Sequence, residues 1–250
     1  MTNPFTGFGY FFRGLGLITK PGVKRWVAIP LTINILLFAF AIRWVSGEFS
    51  GWVDDVVPNL WDWLFWLEWV LWVLFAITIG LILFFTFTMV ANLIGSPFNG
   101  YLAAAVEEHL TGRKPPDTGR SLWAEAIHAI VNELKKWLYF LLWAIPLLLL
   151  SFVPVINLFS PIYWPVFGAW MLSLEYLDYP MGNHGKGFRE VREAAAAQRF
   201  MSLGFGGAAT LATMVPLLNF FAMPVAVAGA TAYWVEQVKN RETATLPGGA

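Results

Sequence analysis

Apolar residues come in four long runs along this chain, and the lengths of those runs predict its elements. The first, Trp26 to Val45, is 20 residues, enough for one helix across a hydrocarbon core of roughly 30 Å at about 1.5 Å per residue. More than 20 residues precede it and no small-x-small site follows Ala41-Ile42-Arg43-Trp44, so it is expected to stay in the mature protein as a span and not as a cleaved signal. The second, Leu60 to Val90, holds 31 residues without Lys, Arg or His. As one helix it would be roughly 46 Å long, and its Trp-rich first third, Trp61 to Trp69, reads as an interfacial belt entering the membrane from outside.

The last two runs, Trp137 to Leu177 and Phe200 to Val238, are about 40 residues each. Pro146, Pro154, Pro161 and Pro165 interrupt one, Pro216 and Pro224 the other. Each is predicted to fold back as a membrane-inserted hairpin. The turns fall where Val153-Pro154-Val155-Ile156-Asn157-Leu158-Phe159 matches Val215-Pro216-Leu217-Leu218-Asn219-Phe220-Phe221 at an offset of 62, with four identities in seven positions. Arms of about 14 to 22 residues suit either a full crossing or a re-entrant hairpin that penetrates part of the bilayer.

Charge sets the orientation. With both hairpins entering and leaving by one face, 15 of the 16 basic residues lie on that face and only Arg43 is an exception. The positive-inside rule makes that face cytoplasmic and places both termini there. Ser46 to Asn59 carries Glu48, Asp54 and Asp55 but no Lys or Arg, as an external loop should. The fold class expected is an all-α integral membrane protein with two long transmembrane helices and two inserted hairpins, a single transport domain over 1–242 and a flexible tail over 243–250.

Composition narrows the chemistry. The chain is 58% hydrophobic and 13% charged, against about 25% charged in a soluble domain. No Cys is present, which removes disulfides, Cys-ligated metals and thiol nucleophiles together. His109, His128 and His184 never fall at the i, i+4 spacing common in helical metal sites. No nucleophile–base pair stands at helical spacing either, so neither a metal, a cofactor nor an enzymatic activity is expected. Gly182-Asn183-His184-Gly185-Lys186-Gly187 lacks the Ser or Thr after its Lys, and no strand precedes it, so no nucleotide site is expected; no nucleic-acid partner is implied.

The first 47 residues hold Arg13, Lys20, Lys24, Arg25 and Arg43 and no acid. Lys20-Pro21-Gly22-Val23-Lys24-Arg25 leads into the first span with Pro21 and Gly22 where a helix would begin. Free N–H groups, the positive end of the helix dipole and two cations suit a tetrahedral oxyanion. A donor-only pocket favours sulfate over monohydrogen phosphate, whose proton needs an acceptor. The alternative is that these residues are membrane anchors whose stems snorkel to headgroups.

Asn92, Ser96 and Asn99 could line an anion path, or Ala91 to Gly100 could be a helix stop before an amphipathic helix over Tyr101 to Leu110. Glu175, Asp178 and His184 could relay protons. Otherwise Tyr179-Pro180 ends a helix, and a glycine loop follows whose charges pair with Lys186, Arg189 and Arg192. Gly204, Gly206 and Gly207 predict close helix packing.

Taken together, Gly14-Leu15-Gly16-Leu17, Pro21 to Arg25, Ile29-Pro30-Leu31, Asn34, Asn92 to Gly100 and Tyr176 to Pro180 resemble the CysZ sulfate permeases of bacterial inner membranes. The likeness runs from Asn3 to Asn240. It implies sulfate uptake for cysteine synthesis without covalent chemistry, by a channel-like or proton-linked route, in a homo-oligomer embedded in the bilayer. By position it implies sulfate binding at Gly22, Val23, Lys24 and Arg25, with Lys24 where the family usually has arginine, a point charge in place of a bidentate fork. A non-transporting scaffold or an anion sensor is the competing expectation.

Overall fold

A computed structural model describes residues 3–56 and 65–239. The described residues are all-helical, with no strand among them. Their order is α1 (Pro4–Leu17), α2 (Lys24–Val56), α3 (Phe65–Thr111), α4 (Leu122–Leu150), α5 (Pro154–Asn157), α6 (Ser160–Gly182), α7 (Phe188–Ala197), α8 (Arg199–Met214) and α9 (Pro216–Tyr233), then a π-helix, Trp234–Lys239. The start of the tryptophan belt, the end of the expected external loop, and the tail over 243–250 lie outside the described residues.

Two compact units emerge. Ala28–Phe98 is one; residues up to Val27 and from Asn99 on form the other. The first comprises most of α2 and α3. Within the described residues one stretch of 21 residues, Lys24–Trp44, is long and apolar enough to cross a membrane, with none of those whose exposure is described buried. Pro30 sits inside α2, and Thr78 returns its hydroxyl to the Leu74 carbonyl at 2.7 Å within α3, a bond that satisfies the only polar atoms of its side chain without help from solvent.

α3 continues through Ala91 to Gly100 without interruption, so the helix stop considered for that segment is not formed. Pro97 lies inside α3 and removes one backbone donor, a local cost of about 3 kcal/mol.

The second unit is held together by close backbone approach. α1 lies on α8 and α9, with Gly7, Tyr10, Phe11, Gly14 and Leu17 facing inward. A Cβ on Gly7 would strike the Met201 carbonyl, one on Gly14 that of Val225, one on Gly204 that of Pro4, and one on Gly206 that of Ala169. The Gly204–Gly206 pair thus packs α8 against α1 on one side and α6 on the other, the close packing that small residues permit. α9 is buried nearly all round from Val225 to Tyr233, which its Ala- and Val-rich sequence allows.

Both apices repeat one local geometry. Val153 (φ −86°, ψ 115°) and Val215 (φ −96°, ψ 113°) are extended N-caps, each followed by a proline at the helix start. The arms α4 and α6 are joined by Trp170 donating to the Tyr139 hydroxyl at 3.1 Å. At the tip Ser151 holds Tyr163 at 2.7 Å and accepts from Trp164 at 3.2 Å. α6 passes through Pro180 to Gly182, two residues beyond the predicted end.

Candidate anion site and the polar clusters around it

The α1–α2 connection is a compact turn. The N–H groups of Val23 and Lys24 both bond the Lys20 carbonyl at 3.1 Å, and Trp26 N–H bonds Val23 O at 2.9 Å. Gly22 makes the reversal at φ +83°, the left-handed region where a Cβ is penalised. Val23 is fully buried and pins the turn to the core. Of the donors at this helix start, the backbone N–H groups of Gly22 and Arg25 carry no backbone acceptor among the described residues.

Lys20, Lys24 and Arg25 are exposed around that turn and make no ion pair with a carboxylate among the described residues. The Arg25 guanidinium lies 5.1 Å from the Trp26 ring centroid, and Trp26 stacks on Tyr101 at 4.9 Å. This aromatic pair orients the cation. Gly22, Val23, Lys24 and Arg25 are thus brought together as one donor-rich turn, with Val23 anchoring from below.

The remaining candidates go elsewhere. Asn99 is buried, and its amide donates to the Tyr179 hydroxyl and to Met223 Sδ, both at 3.3 Å, so it braces helices. Asn92 and Ser96 lie within α3, with side chains outside the described residues. Glu175 and Asp178 do not pair with Lys186, Arg189 or Arg192. They meet Lys136 Nζ at 2.8 and 3.0 Å, together with Glu133 at 3.0 Å. Burial disfavours the ammonium, but the Asp178 and Glu175 carboxylates beside it outweigh that and hold its pKa well above the usual lysine value. Arg189 bonds Glu193 within α7 at 2.7 Å.

His184 pairs with Glu107, Nε2 lying 2.9 Å from Oε1, and Lys239 reaches the same oxygen at 2.7 Å. Burial would keep the Glu107 carboxyl neutral, yet the His184 and Lys239 hydrogen bonds hold it below the ordinary carboxylate range. His184 also lies against Trp234, centroids 4.4 Å apart. Further along the π-helix, Glu236 takes Arg13 in a two-bonded pair, 2.7 Å on each oxygen, and accepts from the Tyr10 hydroxyl at 3.0 Å. Gln237 donates to Tyr10 Oη at 3.0 Å. The π-helix is therefore the strap that ties α1, α3 and the α6–α7 loop.

Glu107 was missed in sequence, although it lies about 140° from Leu102 at the edge of the stripe formed by Leu102, Ala103, Val106 and Leu110. A carboxylate there is a legible sign of a buried partner.

The family model for "Sulfate transporter CysZ/Etoposide-induced protein 2.4" matches residues 10–224. A protein named "Sulfate transporter CysZ" from Pseudomonas aeruginosa is 44% identical over 238 residues, 94% of this chain and 97% of its own. Its namesakes from Pseudomonas paraeruginosa and Pseudomonas fluorescens are 44% and 41% identical, over 93% of this chain and 95% and 94% of theirs. A match of this extent, over an all-helical chain with long apolar helices, makes this a membrane protein of the Sulfate transporter CysZ/Etoposide-induced protein 2.4 family.

Proposed function

We propose that this protein is a sulfate permease of a bacterial inner membrane, supplying sulfate for cysteine synthesis, with the anion held at the Gly22–Arg25 turn and no covalent step. The observation that carries the reading is the turn itself. Two cations, Lys24 and Arg25, match the two charges of sulfate, and the Gly22 and Arg25 N–H groups add donors of fixed direction. No carboxylate pairs with these cations among the described residues, so a protonated oxyanion gains no acceptor from an ion-pair partner. Transport of sulfate in relatives so named supports the same substrate here.

In this reading the chain crosses the bilayer with α2 and α3, both termini face the cytoplasm, and 1–242 works as one transport domain, with 243–250 as a tail. α4–α6 and α8–α9 enter the membrane as hairpins, and the α8–α9 hairpin enters partway. The exposed apolar side chains on the α8 arm toward the apex, Leu211 to Val215, cover only about 6 Å of helix, far short of a hydrocarbon core of roughly 30 Å. Asn92 and Ser96 mark the inner end of the path, Glu175, Asp178 and His184 are the groups through which protons would couple, and the protein works as a homo-oligomer.

The test is radiolabelled sulfate uptake into liposomes, with and without a proton gradient, for the parent and Lys24→Ala/Arg25→Ala. Uptake above empty vesicles that falls at least tenfold in the double variant is the expected result. Parent protein that is folded yet moves no sulfate would replace this reading with a scaffold or sensor, and an unimpaired double variant would remove the turn from the path.

A further inference from the structure

We propose that α1 lies in the membrane surface, with the side opposite its packed face seated among anionic phospholipid headgroups. The packed face carries Gly7, Tyr10, Phe11, Gly14 and Leu17. Turned away from it, Phe5, Phe8, Phe12 and Leu15 fall within about 80° of one another on the helix, and they are between 37% and 80% exposed. Phe8 and Phe12 touch at 5.1 Å between centroids, and the apolar ridge from Phe5 to Leu15 runs about 15 Å along the helix. Gly9 and Gly16 flank it with open space above them.

What covers this ridge is set by area, charge and continuity. With aromatic side chains of about 200 Å² each, the exposed ridge offers about 400 Å², half of the roughly 800 Å² per partner in a stable protein interface. A helix that sinks its apolar face into the boundary between headgroups and acyl chains has no such minimum. Lys20, Lys24 and Arg25, just beyond the C-terminal end of α1, are exposed and make no ion pair with a carboxylate among the described residues, the complement of an anionic surface. The chain also runs from Leu17 directly into the apolar stretch that begins at Lys24. A short helix with an aromatic face and a basic segment just beyond its C-terminal end fits an interfacial helix.

This inference rests on the membrane reading above, and the test separates the two. With no native Cys, single-site nitroxide labels at Phe5→Cys, Phe8→Cys, Phe12→Cys, Thr6→Cys and Leu36→Cys are read for oxygen against nickel-chelate accessibility, in vesicles of phosphatidylglycerol and phosphatidylethanolamine. All five positions are exposed, and size-exclusion elution confirms folding. The expected result is oxygen accessibility several-fold higher at 5, 8 and 12 than at 6. Water-like values at all four α1 positions with Leu36→Cys in the apolar phase would overturn the α1 proposal alone. Spin–spin broadening confined to the ridge would overturn it in favour of a second copy, and a water-like Leu36→Cys would sink the membrane reading together with it.

Discussion

Removing the Lys136 ammonium tests the polar framework most sharply, because one cation there faces three carboxylates. Lys136→Met keeps the stem length and deletes the charge. Charge centres about 4 Å apart at an effective dielectric of about 20 attract by about 4 kcal/mol. Only Asp178, 22% exposed, is shielded enough to hold most of that. Glu175 and Glu133, 38% and 54% exposed, are screened to about 0.5 kcal/mol each, as at other solvent-reached pairs. Desolvation of the ammonium opposes the sum, and the net expected loss is about 3 to 4 kcal/mol, the range for breaking a buried pair.

For a chain of this size that lowers the melting temperature by about 10 °C. Intrinsic tryptophan fluorescence during heating in detergent reads it directly. Lys136→Met/Asp178→Asn removes the most buried carboxylate along with its cation and should recover more than half of the loss. A single variant within about 2 °C of the parent, or a double variant no better than the single, would refute the assignment of Lys136 as the centre of this cluster.

Two further outcomes are expected. Gly206→Ala drives a Cβ into the Ala169 carbonyl and should cost at least about 1 to 3 kcal/mol of overpacking; Gly207→Ala, with open space at its Cβ, should gain about 0.5 to 1 kcal/mol, and heat-treated size-exclusion recovery distinguishes them. Because Glu107 has its pKa lowered from 4.5, it stabilises the fold above that value and loses the contribution as pH falls through its folded pKa. The melting temperature of Glu107→Gln should therefore lie below the parent at neutral pH and decline less steeply between about pH 5 and about pH 3, as pH-resolved fluorescence melts would show.

The apolar runs were legible because burial in helices or lipid needs only composition and length, and the Val-Pro apices because proline fixes a helix start wherever it falls. The close packing at Gly204 and Gly206 was legible for the same local reason. The ionic clusters were not. Glu107 finds His184 77 residues away and Lys239 132 away, and Lys136 read as a topology signal while its carboxylates sit 39 and 42 residues on. Partners so distant are chosen by tertiary packing that no periodicity encodes. Pro180 misled, because local breaker strength was weighed without the packing that buries it inside α6.

The two apices carry a consequence for how deep a helix start can sink. An ordinary start leaves four peptide donors bare. Here Pro154 and Pro216 have no N–H to leave, and the N–H groups of the N-caps Val153 and Val215 are bonded to the Leu150 and Ala212 carbonyls at 3.1 and 3.3 Å, which halves the bare set. Each bare donor held in hydrocarbon costs several kcal/mol, so the remaining pair sets a depth at which dehydration balances the gain from burying the apolar tip. Any residue other than proline at 154 or 216 would add one more thirsty amide to its tip and lift that hairpin toward water.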